Sequence, residues 1–190
     1  MSTLQAFLDA ARSVISFGAT INAQGRQAIR EVVGQLGDEL DRALMLADSC
    51  LAGARYCRDD DERIQYLERF RGKLVDSFHE HQICGALYQL ADRFEQVFDP
   101  LRLSVSIHEY RAIPALIDNL KNGERAVLDE LDEIGLVLYT HAQDLAAESD
   151  EAVRMTRRAE IQATLDQGRA QLAVHRRGLR DQVREVMDRL

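Results

Sequence analysis

The chain has 190 residues, 46% of them hydrophobic, and a formal net charge of −8. That length suits one domain with a sizeable core, and the acidic balance argues against nucleic acid as a partner, because phosphate contact needs a basic footprint. Two prolines, no Trp and no run of β-branched residues with period two argue against a sheet, so the expected class is all-α.

Residues 3–17 read as a short amphipathic helix with Leu4, Phe7 and Leu8 at the head of its apolar face. Asp9 and Arg12 interrupt the apolar run and no positive side chain precedes it, so it does not read as a secretory signal. Gly18 and Gly25 bracket a small, weakly apolar link.

The first long helix is expected over 26–58. Its seam is an unbroken four-three repeat: Ile29, Val33, Leu36, Leu40, Ala43, Ala47, Cys50, Ala54 and Cys57. Gly34, Gly37 and Gly53 lie inside it. Each costs about 1 kcal/mol against Ala in a helix, which points to close approach of a neighbour. Asp59, Asp60, Asp61 and Glu62 are placed to cap the next helix and match its dipole.

The second long helix is expected over 61–98. Its seam runs Ile64, Leu67, Arg71, Leu74, Phe78 and His81, then changes phase to Ile83, Leu87, Leu90, Phe94 and Val97. The slip predicts a kink or bulge between Phe78 and Gly85. Asp99-Pro100 ends the helix. A third, over 106–148, carries Tyr110, Ile113, Ile117, Leu120, Glu124, Val127, Leu131, Ile134, Leu138, His141 and Leu145. Pro114 and Asn122-Gly123 are its weak points. Ser149 or Asp150 then caps a fourth helix over 152–190, with the seam Ile161, Leu165, Gly168, Leu172, His175, Leu179, Gln182 and Val186.

Residues 1–190 therefore read as a single domain. It is an elongated antiparallel four-helix bundle of long helices, preceded by a short amphipathic N-terminal helix. Helices of about 35 residues span about 50 Å, and short connections favour up-down-up-down neighbours.

Three cysteines without a secretory signal suggest reduced thiols and a cytoplasmic location. Arg outnumbers Lys 22 to 2, as GC-rich coding favours, which suggests a bacterial source. No run approaches the roughly 18 apolar residues of a membrane span.

Motifs for catalysis are missing from the sequence: there is no Gly-rich phosphate loop, no Gly-x-Ser-x-Gly and no His-Glu-x-x-His. An enzyme is not expected, nor a cofactor. No metal site is expected either; His81, His175, His141 and Cys50 fall on seam positions and would be its candidates. Counting from the turns puts His81 level with His175, and His141 level with Cys50. The bland alternative is that they are core histidines that fix register. A di-iron bundle would need two Glu-x-x-His motifs, and the nearest match is Asp76-x-x-His79. Asp129, Glu130, Asp132 and Glu133 form an acidic run read as a solvated face or a docking patch. Residues 152–190 hold nine Arg and five acids, about +4. Arg157, Arg158, Arg176 and Arg177 are candidates for interaction, with intramolecular pairing as the alternative.

The function expected from these features is contact with another protein by an adaptor, regulator or sensing module that self-associates through its last or first helix. A short apolar helix followed by a bundle of long helices also resembles the plan of HeLo-like cell-death domains. The resemblance is one of architecture, and it implies oligomerisation and a membrane partner for the N-terminal helix. A metal-binding bundle is the third expectation.

Overall fold

The computed structural model describes residues 23–82, 85, 86, 89, 92, 93 and 123–189. The expected N-terminal helix with Leu4, Phe7 and Leu8, Cys84, Pro114 and the second half of the 61–98 helix from 94 onward lie outside the described residues. Among the described residues every regular element is an α-helix and none is a strand. The elements are α1 (Ala23–Arg55), α2 (Asp60–Glu68), α3 (Phe70–Glu80), α4 (Gly123–Ala147) and α5 (Glu151–Arg189). No helix among the described residues is long and apolar enough to cross a membrane.

The caps are those the acids announce. Asp59 Oδ1 accepts the Glu62 amide at 2.8 Å, and Glu62 Oε2 accepts the Arg58 amide at 2.7 Å. The first bond satisfies a donor that the helix itself leaves open, and the second ties the residue before the cap back onto the first turn. Asp150 Oδ1 accepts the Ala152 amide at 2.8 Å and starts α5.

Contacts divide the chain into two compact units. One comprises Met1–Arg42, Gln82–Val127 and Arg177–Leu190, the other Ala43–His81 and Leu128–Arg176. In the first, Val32, Val33, Leu36 and Leu40 of α1 are buried, as are Leu179 and Val186 of α5. The two helices run antiparallel: Gly34 faces Met187, Gly37 faces Val183, and Asp41 pairs with Arg180 at 2.8 Å. A Cβ on Gly37 would stand 2.8 Å from Val183 Cγ2, so the close approach expected there is real.

In the second unit α1 contributes Ala43, Leu44, Ala47, Cys50, Leu51 and Ala54 to the core. Leu67 comes from α2, Phe70, Leu74 and Phe78 from α3, Leu138, Ala142 and Leu145 from α4, and Ile161, Leu165 and Leu172 from α5. Gly168 packs against Leu51 and Ile134, and Gly135 against Phe70. Asp48 pairs with Arg169 at 2.7 Å and Arg55 with Asp166 at 2.6 Å, again antiparallel. The predicted seam of α1 is buried from Val33 to Ala54, and Val32, Leu44 and Leu51 widen it. A helix covered on more than one side needs this wider stripe.

The second expected helix departs from a continuous run. It breaks at Arg69, whose φ of −103° and ψ of 8° separate α2 from α3. Phe70 is buried at 2% exposure where the seam reading had Arg71, which is exposed. Burying the aromatic ring removes far more apolar surface than the guanidinium could, without stranding a charge. The predicted break between Phe78 and Gly85 is present. Helix α3 ends at Glu80, and the residue that turns into the left-handed region is Gln82, with φ 55°.

Candidate functional site

Among the described residues the most concentrated polar constellation lies at the start of α2. Asp59 is consumed as the cap, so the next residue, Asp60, turns inward and is buried to 9% exposure. A buried carboxylate is costly unless paired, and Asp60 is paired three times. Arg158 Nε lies 2.9 Å from both carboxylate oxygens, and its Nη2 donates to Oδ2 at 2.7 Å. Arg154 Nη2 donates to Oδ2 at 2.7 Å. Arg63 Nη1, one turn along α2, donates to Oδ1 at 3.2 Å.

Arg154 and Arg158 are four apart on α5, so one face of the helix presents both. Hydrogen bonding from Arg158 holds Asp60 well below the usual carboxylate range, at about 2, against a desolvation effect that pushes the other way; Arg154 adds to the lowering. Arg158 is correspondingly raised by its bonds to Asp60 and to Glu151.

These side chains line an open cleft of about 500 Å³ together with Arg58, Asp59 and Asp61. Its inner guanidiniums are committed. Arg154 also donates to the Glu148 carbonyl at 3.1 Å, Arg158 to Glu151 at 2.9 Å, and Arg63 to the Cys57 carbonyl at 3.5 Å. The lining holds neither thiol nor imidazole. Chemically the arrangement is an ionic clasp that fixes α2 on the first turns of α5.

A second polar contact supports it. Tyr66 Oη donates to the Cys50 carbonyl at 2.9 Å, and Lys73 Nζ sits 4.6 Å from the Tyr66 ring centroid. Burial pushes the Tyr66 hydroxyl up to about 12. The same cause raises the thiols of Cys50 and Cys57, so neither is activated as a nucleophile. Tyr66 also fills the space over Gly53.

The histidines do not form the layers that counting placed in the seam. His81 is exposed at the end of α3 with Nδ1 2.9 Å from the Ser77 carbonyl, and His175 is exposed on α5. The phase of each local helix turns these two positions outward. His141 is half-buried, and its buried Nδ1 has no hydrogen-bond partner among the described residues. Cys50 is buried. Among the described residues no group of three or more His, Cys, Asp or Glu side chains is placed to hold a metal ion. Asp76 and His79 are both exposed.

Of the arginine pairs, Arg157 bonds Glu160 at 2.9 Å and lies 3.7 Å from Asp144, and Arg158 belongs to the clasp. Arg176 and Arg177 also have interactions within the chain. The clasp itself was legible only in part. In the sequence Asp60 stands where a dipole acid would, and neither Arg154 nor Arg63 lies on a seam. One signal was present: Arg154, Arg157 and Arg158 crowd the N-terminal turns of α5, where cations oppose the helix dipole. Such residues require acids from elsewhere.

In comparison with known proteins, the chain matches no family model, no curated protein and no solved structure.

Proposed function

We infer that this is a non-enzymatic helical protein of the cytoplasm that works by contact with other protein chains, as an adaptor, regulator or sensing module, and that it self-associates through α5. Its expected architecture is the antiparallel four-helix bundle. The observation that carries the reading is the outer side of α5. Met155 and Val174 are 62% and 58% exposed on a helix whose opposite stripe, Ile161, Leu165 and Leu172, is already buried. A helix with apolar groups on both sides has more apolar surface than its own fold covers. The neutralised state of Asp60, Arg154 and Arg158 supports a scaffold role over chemistry.

Light scattering during size-exclusion chromatography tests it. The native chain is expected to run as a multimer, and Met155→Glu with Val174→Glu to shift it to monomer without loss of helical circular dichroism. A native monomer at high concentration would remove self-association from the reading.

A further inference from the structure

Helix α2 is held differently from the helix that follows it. It has nine residues, of which Asp60 and Leu67 are buried. A helix this short is marginal on its own in water, so contacts from elsewhere must keep it formed. Helix α3 is anchored by Phe70, Leu74 and Phe78, all buried. In α2 the one buried apolar anchor is Leu67, and the rest of the attachment is polar. Asp60 takes Arg154 and Arg158 from α5. Tyr66 Oη donates to the Cys50 carbonyl of α1 at 2.9 Å, and Glu68 accepts from Gln143 of α4 at 2.7 Å.

Both ends of α2 are breaks in the helical path. Tyr56 to Asp59 form a turn before it, and Arg69 interrupts the helix between it and α3. Such a segment can leave without unwinding either neighbour. Elements with few buried apolar contacts are the ones that open below the global unfolding free energy. Polar attachments favour this, because the freed groups regain hydrogen bonds from water.

What α2 covers is specific. Gly53 lies in the interior of α1, where glycine is unfavourable against alanine, and the space a side chain would fill is taken by the Tyr66 ring. Beside this socket is the buried Cys50. The Cys50 and Cys57 thiols both help to keep the Tyr66 hydroxyl neutral, which places them next to it. Lifting α2 withdraws the ring from the socket and uncovers the Cys50 thiol.

We propose that α2 is a strap that opens as a unit while the other helices stay folded, that the Asp60–Arg154–Arg158 cluster is its latch, and that the open state exposes Cys50.

The test follows reaction of Cys50 with dithionitrobenzoate in the full chain carrying Cys57→Ser and Cys84→Ser, which leave one thiol. Circular dichroism checks that each variant keeps its helix. Labelling is expected to outrun global unfolding and to show roughly half or less of its urea dependence, because a strap exposes little surface. Asp60→Asn should raise the rate by about tenfold or more with the same shallow slope, and Tyr66→Phe should raise it several-fold. Leu179→Ala truncates the core of the other compact unit. It should lower the global urea midpoint and leave labelling without urea unchanged. Hydrogen exchange of the Asp60→Asn variant should quicken in the amides of α2 and not in those of α3. Labelling with the full urea dependence of unfolding, no acceleration in Asp60→Asn, equal acceleration by Leu179→Ala, or equal opening of α3 each overturns the proposal.

Discussion

Arg158 and Asp60 are 98 residues apart in sequence and meet side-on, with Arg158 Nε 2.9 Å from each carboxylate oxygen and Nη2 2.7 Å from Oδ2. This paired contact, backed by Arg154 and Arg63, fixes where α2 sits on α5. Its geometry is the planar fork on a carboxylate that lysine cannot reproduce. Replacing Asp60 with Asn keeps the shape and removes the charge. Three partly buried cations then lose their counter-ion, and a loss of about 2 kcal/mol is expected, below the full cost of breaking a buried pair because the arginines retain some solvent. Urea unfolding at neutral pH measures it. Arg158→Lys should also destabilise, since a point charge cannot span both oxygens.

The same carboxylate sets an acid limit. Its folded value, about 2, lies below its ordinary value of 3.8. The folded state therefore binds the proton more weakly than the unfolded chain. The stabilisation is complete above about pH 4 and is lost as pH falls towards 2. The urea midpoint of the native chain should drop across that window, and Asp60→Asn should flatten this part of the profile.

Two glycines should respond in opposite directions. A Cβ on Gly53 would stand 2.8 Å from Tyr66 Cζ, and the ring cannot swing away without giving up its bond to the Cys50 carbonyl. Gly53→Ala is expected to destabilise by about 1–3 kcal/mol, the cost of overpacking. A Cβ on Gly72 would meet nothing within 4 Å. Gly72→Ala is therefore expected to stabilise α3 by about 0.5–1 kcal/mol through helix propensity. Thermal melts of the two variants, run side by side, give the sign of each.

Tyr66→Phe removes the hydroxyl bond to the Cys50 carbonyl while keeping the ring. A loss of about 1 kcal/mol is expected. The native chain should also lose stability between about pH 10 and 12. The Tyr66 hydroxyl is held neutral in the fold up to about 12, whereas in the unfolded chain it ionises near 10. Phe at this position should remove that alkaline step, as read by denaturation at pH 9, 10 and 11.

The cap of α2 is a fifth test. Asp59→Ala exposes the Glu62 amide and should cost about 1 kcal/mol. Asp59→Asn, which keeps an acceptor oxygen, should cost much less. Hydrogen exchange of the α2 amides localises the effect: opening confined to α2 is expected, and equal loss across all helices would show that the cap acts elsewhere.

The helices and much of the core were decided locally, and so they could be read in the chain. The apolar repeat from Val33 to Ala54 needs only 3.6-residue periodicity to declare a buried face. Asp59 and Asp150 announce helix starts because a cap acts within three residues. The break after Phe78 showed as a slip in phase. What the chain alone left open depended on partners distant in sequence. Asp60 became the buried centre of an ion cluster because Arg154 and Arg158 approach from α5, and nothing within reach of residue 60 specifies that. His81 and His175 looked like seam residues, yet the breaks at Arg69 and Glu80 and the packing of α5 put both in solvent. The seam of α4 named Leu138 and Leu145 from periodicity alone, and both are buried, while Leu136, off that seam, is exposed. A periodic pattern marks a stripe as apolar, but which stripe is buried depends on the surfaces that close against it.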